Sequence, residues 1–152
     1  MRHSIRVMIA NDSSVIRRLV TEALIDADGF EVFPAVHGAD ALNQLATVRP
    51  HVLVLDTEMP VMNGPQTVRA IRQDNPDLPI IMLCLSSHAS LKAMVEAIPA
   101  GANDCAKFVV RMGHVASAKK HLADELIPKI RFWADQSLRQ SIQTTDAIPV
   151  EN

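Results

Sequence analysis

The chain has 152 residues, 48% of them apolar and 21% charged, with a formal net charge of −2, the ordinary composition of one globular domain large enough to bury its own core. A charge this near balance argues against a nucleic-acid or anionic-membrane binder, and no stretch reaches the ~20 apolar residues of a membrane span. Met1-Arg2-His3-Ser4 starts no apolar leader, and the only cysteines, Cys84 and Cys105, lie in apolar strand-like contexts, which together indicate a reduced, cytoplasmic protein.

The first predicted element is a strand at 5–10, ending at Asn11-Asp12-Ser13-Ser14. A helix over 13–27 follows, because Ile16, Leu19, Val20, Ala23, Leu24 and Ala27 recur at three and four, one stripe of an amphipathic helix. Asp12 or Ser13 suits its cap. A strand near 31–35 and a helix near 39–48 come next, and Pro50 marks the helix exit. Val52-Leu53-Val54-Leu55 then runs straight into Asp56, and Pro60 and Gly64 break the chain behind it. A short unbroken apolar run bounded by turn residues reads as a strand buried on both faces.

Pro65 suits the first position of a helix over 65–74, and Pro76 and Pro79 lead into a strand at 80–83. A helix near 89–98, a strand at 104–108 and a helix over 113–138 complete the pattern. Strict β–α alternation of this size implies parallel strands with right-handed crossovers. The last helix carries a stripe of Val115, Lys119 (through its stem), Leu122, Leu126, Ile130 and Trp133, and Pro128 is expected to kink or split it. The chain therefore divides into a core over 1–112, a fifth helix with its extension over 113–139, and a polar, disordered tail over 140–152.

Two carboxylates stand out. In an open parallel sheet, chemistry sits at the carboxyl ends of the strands, and Asp12 and Asp56 both end apolar strands. Asp12 alone reads more readily as a cap, but a fully buried strand that ends in one ionisable residue is costly without a purpose. Other chemistry is poorly represented. His3, His37, His51, His88, His114 and His121 show no metal-ligand spacing. Neither a Gly-x-Ser-x-Gly elbow nor a Gly-rich phosphate loop occurs.

Asn11-Asp12-Ser13-Ser14…Arg17, Leu55-Asp56-Thr57-Glu58-Met59-Pro60…Asn63-Gly64 and Gly101-Ala102-Asn103-Asp104…Lys107 resemble a response-regulator receiver domain over roughly Arg6 to Lys107. The Asp-Thr-Glu-Met-Pro block most resembles the receiver half of chemotaxis methylesterases. The resemblance implies a flavodoxin-like (βα)5 doubly wound parallel sheet of order 2-1-3-4-5, which would bring Asp12 and Asp56 side by side. It implies that Asp56 takes a phosphoryl group from a sensor histidine kinase. Asp12, Asp56 and the backbone carbonyl of Glu58 would hold Mg²⁺, with Asn11 assisting through water. Lys107 would pair with the Asp56 carboxylate or its phosphoryl group.

Several positions depart from that pattern. The family usually carries two adjacent acids after strand one, and here the first is Asn11. The strand-four switch hydroxyl falls on Cys84, a weak donor, unless Ser86 or Ser87 replaces it. The fifth-strand aromatic switch falls on Cys105, and the family lysine lies seven after the glycine, whereas Lys107 lies six after Gly101 and precedes Phe108. A one-residue shortening reverses a strand's facing, so either the strand realigns near Cys105 or Lys107 misses the pocket.

Three functions compete. One is a phospho-accepting switch that signals through protein contacts. A second is a degenerate receiver that binds partners without phosphate. The third is the regulatory fragment of a protein-glutamate methylesterase, this chain itself holding no esterase nucleophile motif. A remoter option, an aspartyl-phosphate phosphohydrolase, typically carries Asp-x-Asp at the first strand, unlike Asn11-Asp12-Ser13. Leu122, Leu126, Ile130 and Trp133 are expected to meet a second copy of the chain or a missing effector domain.

Overall fold

The structure is a computed structural model that describes residues 4–85, 88–108 and 115–146, except for the side chains of Leu85, His88, Val115 and 141–146. Five strands and five helices alternate: β1 (Ile5–Ala10), α1 (Ser14–Ala27), β2 (Phe30–Ala35), α2 (Gly38–Val48), β3 (Val52–Asp56), α3 (Gly64–Asp74), β4 (Ile80–Leu85), α4 (His88–Ala100), β5 (Asp104–Phe108) and α5 (Val115–Asp146). The strands form one parallel sheet of order β2-β1-β3-β4-β5, as the resemblance implied. Pro34 interrupts the donor row of β2 at no cost, since β2 is an edge strand.

Side chains alternate across a strand, so each strand feeds two cores. Val7, Ile9, Val54, Ile81, Leu83, Ala106 and Phe108 pack with Ile16, Leu19, Val20 and Leu24 of α1 and with α5. Met8, Leu53, Leu55, Ile80 and Met82 face the other way, onto Ala41, Val68, Ile71 and Ala97 of α2, α3 and α4. All five residues of β3 are buried, which is why that strand reads as a bare apolar run rather than as an alternation.

α5 corrects two expectations. It runs as one helix through Pro128 and on to Asp146, so part of the stretch expected to be a disordered tail is helical; residues 147–152 lie outside the described residues. Pro128 is exposed, so the carbonyl of Asp124 that it leaves without a donor faces water, while Leu126, Ile130 and Ala134 hold the helix to the body. The predicted interface is also overturned. Leu122, Leu126 and Ile130 are buried in the domain's own core, and Trp133 packs against that core with its indole N–H donating to Asp104 Oδ2 at 3.0 Å. One face of the sheet and α1 together supply the apolar surface that this stripe covers.

The entry to β5 is fixed by Arg72, whose Nε and Nη2 donate to the Gly101 carbonyl at 3.0 and 2.8 Å. Gly101 has φ +124°, and a Cβ there would come within 2.9 Å of the Arg72 stem, so the turn needs glycine both for conformation and for space.

Candidate functional site

β1 and β3 are neighbours with Ala10 opposite Leu55, so the residues that leave their carboxyl ends share one crevice. Asn11 is buried and holds the loop together. Its Oδ1 accepts the Ser13 N–H at 2.9 Å, and its carbonyl accepts Arg17 Nη1 at 2.6 Å. Ser13 is the helix cap, accepting the Ile16 N–H at 3.3 Å. That leaves Asp12 uncommitted to capping and exposed at the crevice.

Asp56 is only 7% exposed; its carboxylate accepts a long hydrogen bond from the Glu58 N–H at 3.4 Å, and the Thr57 backbone N–H also favours its charged form. Burial pushes its carboxyl up to about 7, and the nearby charges of Asp12 and Glu58 add to the rise. Among the described residues, the charges that act on it are both negative. Among the described residues no group of three or more His, Cys, Asp or Glu could hold a metal. A cation here would therefore rest on two carboxylates, Asp12 and Asp56, completed by a backbone carbonyl and water. Hard oxygen donors around an uncompensated buried carboxylate are the donor set that suits Mg²⁺, and the residues present fit that ion.

The turn behind Asp56 is tightly built. The Gly64 N–H donates to the Thr57 carbonyl at 3.0 Å, and a Cβ on Gly64 would fall 2.8 Å from the Asp56 carbonyl oxygen. Asn63 and Gln66 form a reciprocal capping box that starts α3, with Pro65 in its first turn. Between them the Met62 N–H reaches the Pro60 carbonyl at 2.7 Å. Val61 at the apex has φ +69° and is 92% exposed, a strained placement for a β-branched residue at the rim of the crevice.

Next to Asp56, the buried Thr57 hydroxyl shares a 2.5 Å hydrogen bond with Ser90 in the first turns of α4. The Cys84 thiol, at the expected switch position, lies 3.5 Å from the same Ser90 oxygen. A hydroxyl therefore does sit beside the strand-four switch position, but it comes from α4. Nothing in the sequence marks Ser90, because its partner is 33 residues away. Ser86 and Ser87, the other switch candidates, lie outside the described residues.

β5 resolves the spacing question. β4 and β5 stay in unbroken register, with Met82 opposite Cys105 and Cys84 opposite Lys107. Cys105 is half-buried against the core on the α4 side, where burial, with Asp104 beside it, pushes its thiol above the usual range. Phe108, seven after Gly101, is fully buried in the opposite core. Lys107 is exposed, and none of the ion pairs among the described residues joins it to Asp56. The strand does not realign, so the structure brings Asp12 to Asp56 but not Lys107.

Comparison with known proteins agrees with this geometry. The family model described as "Response regulator receiver domain" matches residues 7–108. A protein-glutamate methylesterase/protein-glutamine glutaminase of Nocardioides sp. is 38% identical over 128 residues, covering 84% of this chain and 35% of that protein. One from Clostridium acetobutylicum is 35% identical, covering 90% and 39%. This chain thus spans little more than a third of the length of such relatives. Among solved structures, the response regulator domain of Thermotoga maritima CheB superposes with a TM-score of 0.71 at 26% identity, covering 88% of this chain and 98% of that one. NtrX from Brucella abortus, at 22% identity, shares the fold over 98% of this chain and 32% of its own, with a TM-score of 0.75.

Proposed function

Since the chain belongs to the response regulator receiver domain family, we propose that it works in the cytoplasm, accepts a phosphoryl group on Asp56 from a sensor histidine kinase and signals through protein contacts. In the transfer, a carboxylate oxygen of Asp56 attacks the phosphorus of a phosphohistidine. The P–N bond breaks as the acyl phosphate forms, and the departing imidazole takes up a proton. A magnesium ion held by Asp12, Asp56 and the Glu58 carbonyl would neutralise the charge that gathers on the phosphoryl oxygens. Asp12, exposed beside Asp56, would supply one of that ion's ligands. The Thr57–Ser90 pair, flanked by Cys84, ties the α4 start to the reacting residue and gives a phosphoryl group on Asp56 a route to reposition that helix.

The observation that carries this reading is Asp56 itself, a buried carboxylate raised to about 7 chiefly by burial, with the negative charges of Asp12 and Glu58 adding to the rise and backbone hydrogen bonds from Glu58 and Thr57 only partly offsetting it. Such a group is held at a cost that a divalent cation and a phosphoryl adduct relieve. Incubation with acetyl phosphate and Mg²⁺, followed by intact-mass analysis and peptide mapping, should place one adduct on Asp56 and none on an Asp56→Asn chain. Absence of the adduct at saturating Mg²⁺ would leave the phosphate-independent interaction module as the better account.

A second reading, the regulatory part of a protein-glutamate methylesterase, is favoured by one surface. Leu91, Val95 and Ile98 of α4 are exposed at successive turns, an apolar ridge suited to an effector domain. Relatives of that name are 33–41% identical to this chain. Intact mass of the protein as its own cells make it tests the reading, since it requires a polypeptide well beyond Asn152.

A further inference from the structure

The stripe of α5 that covers the sheet consists of Ala118, Leu122, Leu126, Ile130 and Ala134. About 100° round the helix lies a second row, Pro128, Arg131, Asp135 and Leu138, spaced 3-4-3, which is the seam spacing of paired helices. This row borders a groove of about 490 Å³ between α5 and the start of β1, lined by Ile5, Pro128 and Phe132 as well as by Arg131, Asp135 and Leu138. Phe132 is 54% and Leu138 48% exposed, so the groove presents apolar walls around one cation and one anion. The charges are not locked within the chain. Arg131 stands over the Phe30 ring, 5.4 Å from its centroid, and the Asp135–Arg139 pair at 3.2 Å is more than 60% exposed on both sides, weak enough to exchange partners.

We propose that a second copy of this chain docks antiparallel on this row, with Arg131 of each copy facing Asp135 of the other. The row is self-complementary only in that direction. Arg131 and Asp135 lie symmetrically about position 133, so a two-fold axis there opposes each cation to an anion, twice. The same axis sets Leu138 of one copy opposite Pro128 of the other, at the apolar groove. A parallel pairing would instead oppose Arg131 to Arg131 and Asp135 to Asp135, which like-charge repulsion disfavours. An effector domain or another protein would have no reason to match charges that already match each other. The surface is independent of Asp56, so its failure would leave the phosphoryl-acceptor reading untouched.

Sedimentation equilibrium of the chain from micromolar to millimolar concentration should show a monomer–dimer equilibrium. Arg131→Asp and Asp135→Arg should each shift dissociation at least tenfold weaker, since each opposes two like pairs across the axis. An equimolar mixture of the two variants should recover dimer, because every Arg131 or Asp135 site then meets an opposite charge. Circular dichroism melting establishes that each variant is folded. Should Arg131→Asp unfold through loss of its contact with Phe30, Asp135→Arg alone still reads the effect. A chain that stays monomeric throughout, or a dimer indifferent to the reversals, overturns the proposal.

Discussion

At Asp56, burial and negative neighbours act in the same direction, and the consequence is measurable without any kinase. Its ordinary value of 3.8 is raised to about 7, so between those limits the folded state holds a proton that the unfolded state has released. Stability therefore falls as pH rises through this window, and the full cost stands above pH 7. Asp56→Asn removes the titration, and in metal-free buffer it should raise stability at pH 8 by up to about 4 kcal/mol. The gain should shrink as pH falls toward 4. A melting series on both chains checks the sign, and a variant less stable at pH 8 would refute the uncompensated carboxylate. Asp12→Ala acts on the same balance from the other side. It should weaken Mg²⁺ binding at least tenfold by titration calorimetry, through loss of a charged ligand. Asp12 and Asp56 were legible because each follows an apolar strand. Ser90 was not, because a hydroxyl in a helix carries no signal until the fold supplies Thr57. Cys105 and Lys107 could be placed only as alternatives, since the sequence cannot say whether a strand has slipped by one residue.

The elements around the site are fastened by a few buried polar contacts, and the firmest ties β3 to α4. Thr57 and Ser90 are both essentially inaccessible, and their 2.5 Å hydrogen bond lies at the exit of the strand that carries Asp56. Ser90→Ala should cost about 1–3 kcal/mol, because it strips a buried hydroxyl of its partner, whereas adding Thr57→Val should restore much of the loss. Chemical denaturation of the three variants measures this, and equal stability of the single and double variants would deny the coupling. Strand positions and helix starts followed from apolar runs, Pro and Gly, which act locally. The end of α5 did not. Gln140 onward is polar, and polar composition alone gives no period by which to extend a helix that tertiary contacts have already nucleated.

For the molecule as a whole, the question is which side of α5 belongs to the domain. Length suggested that a helix so long must outrun its own body, and the apolar stripe of Leu122, Leu126 and Ile130 was assigned outward on that ground. What length could not reveal is that one entire face of the sheet, from Val7 and Ile9 through Leu83 to Phe108, depends on α1 and this stripe for cover. Truncation after Leu126 would strip Ile130 and Ala134, both buried, together with the Trp133–Asp104 hydrogen bond. Burial of one large aliphatic side chain is worth about 1.5–3 kcal/mol, and an unsatisfied partner adds a further ~1 kcal/mol, against a total stability of only about 5–15 kcal/mol. The shortened chain should therefore lose a large part of its stability and, with it, much of its capacity to form the Asp56 adduct. Truncation after Gln140 removes none of the described core residues and should keep both. Because Gln140 lies beyond Leu138, that second chain also retains the whole charged row of α5, so its self-association should match the intact protein. If instead the chain ending at Leu126 melts within a few degrees of the full one, the carboxyl-terminal half of α5 lies outside the fold, and the outward assignment of its stripe stands.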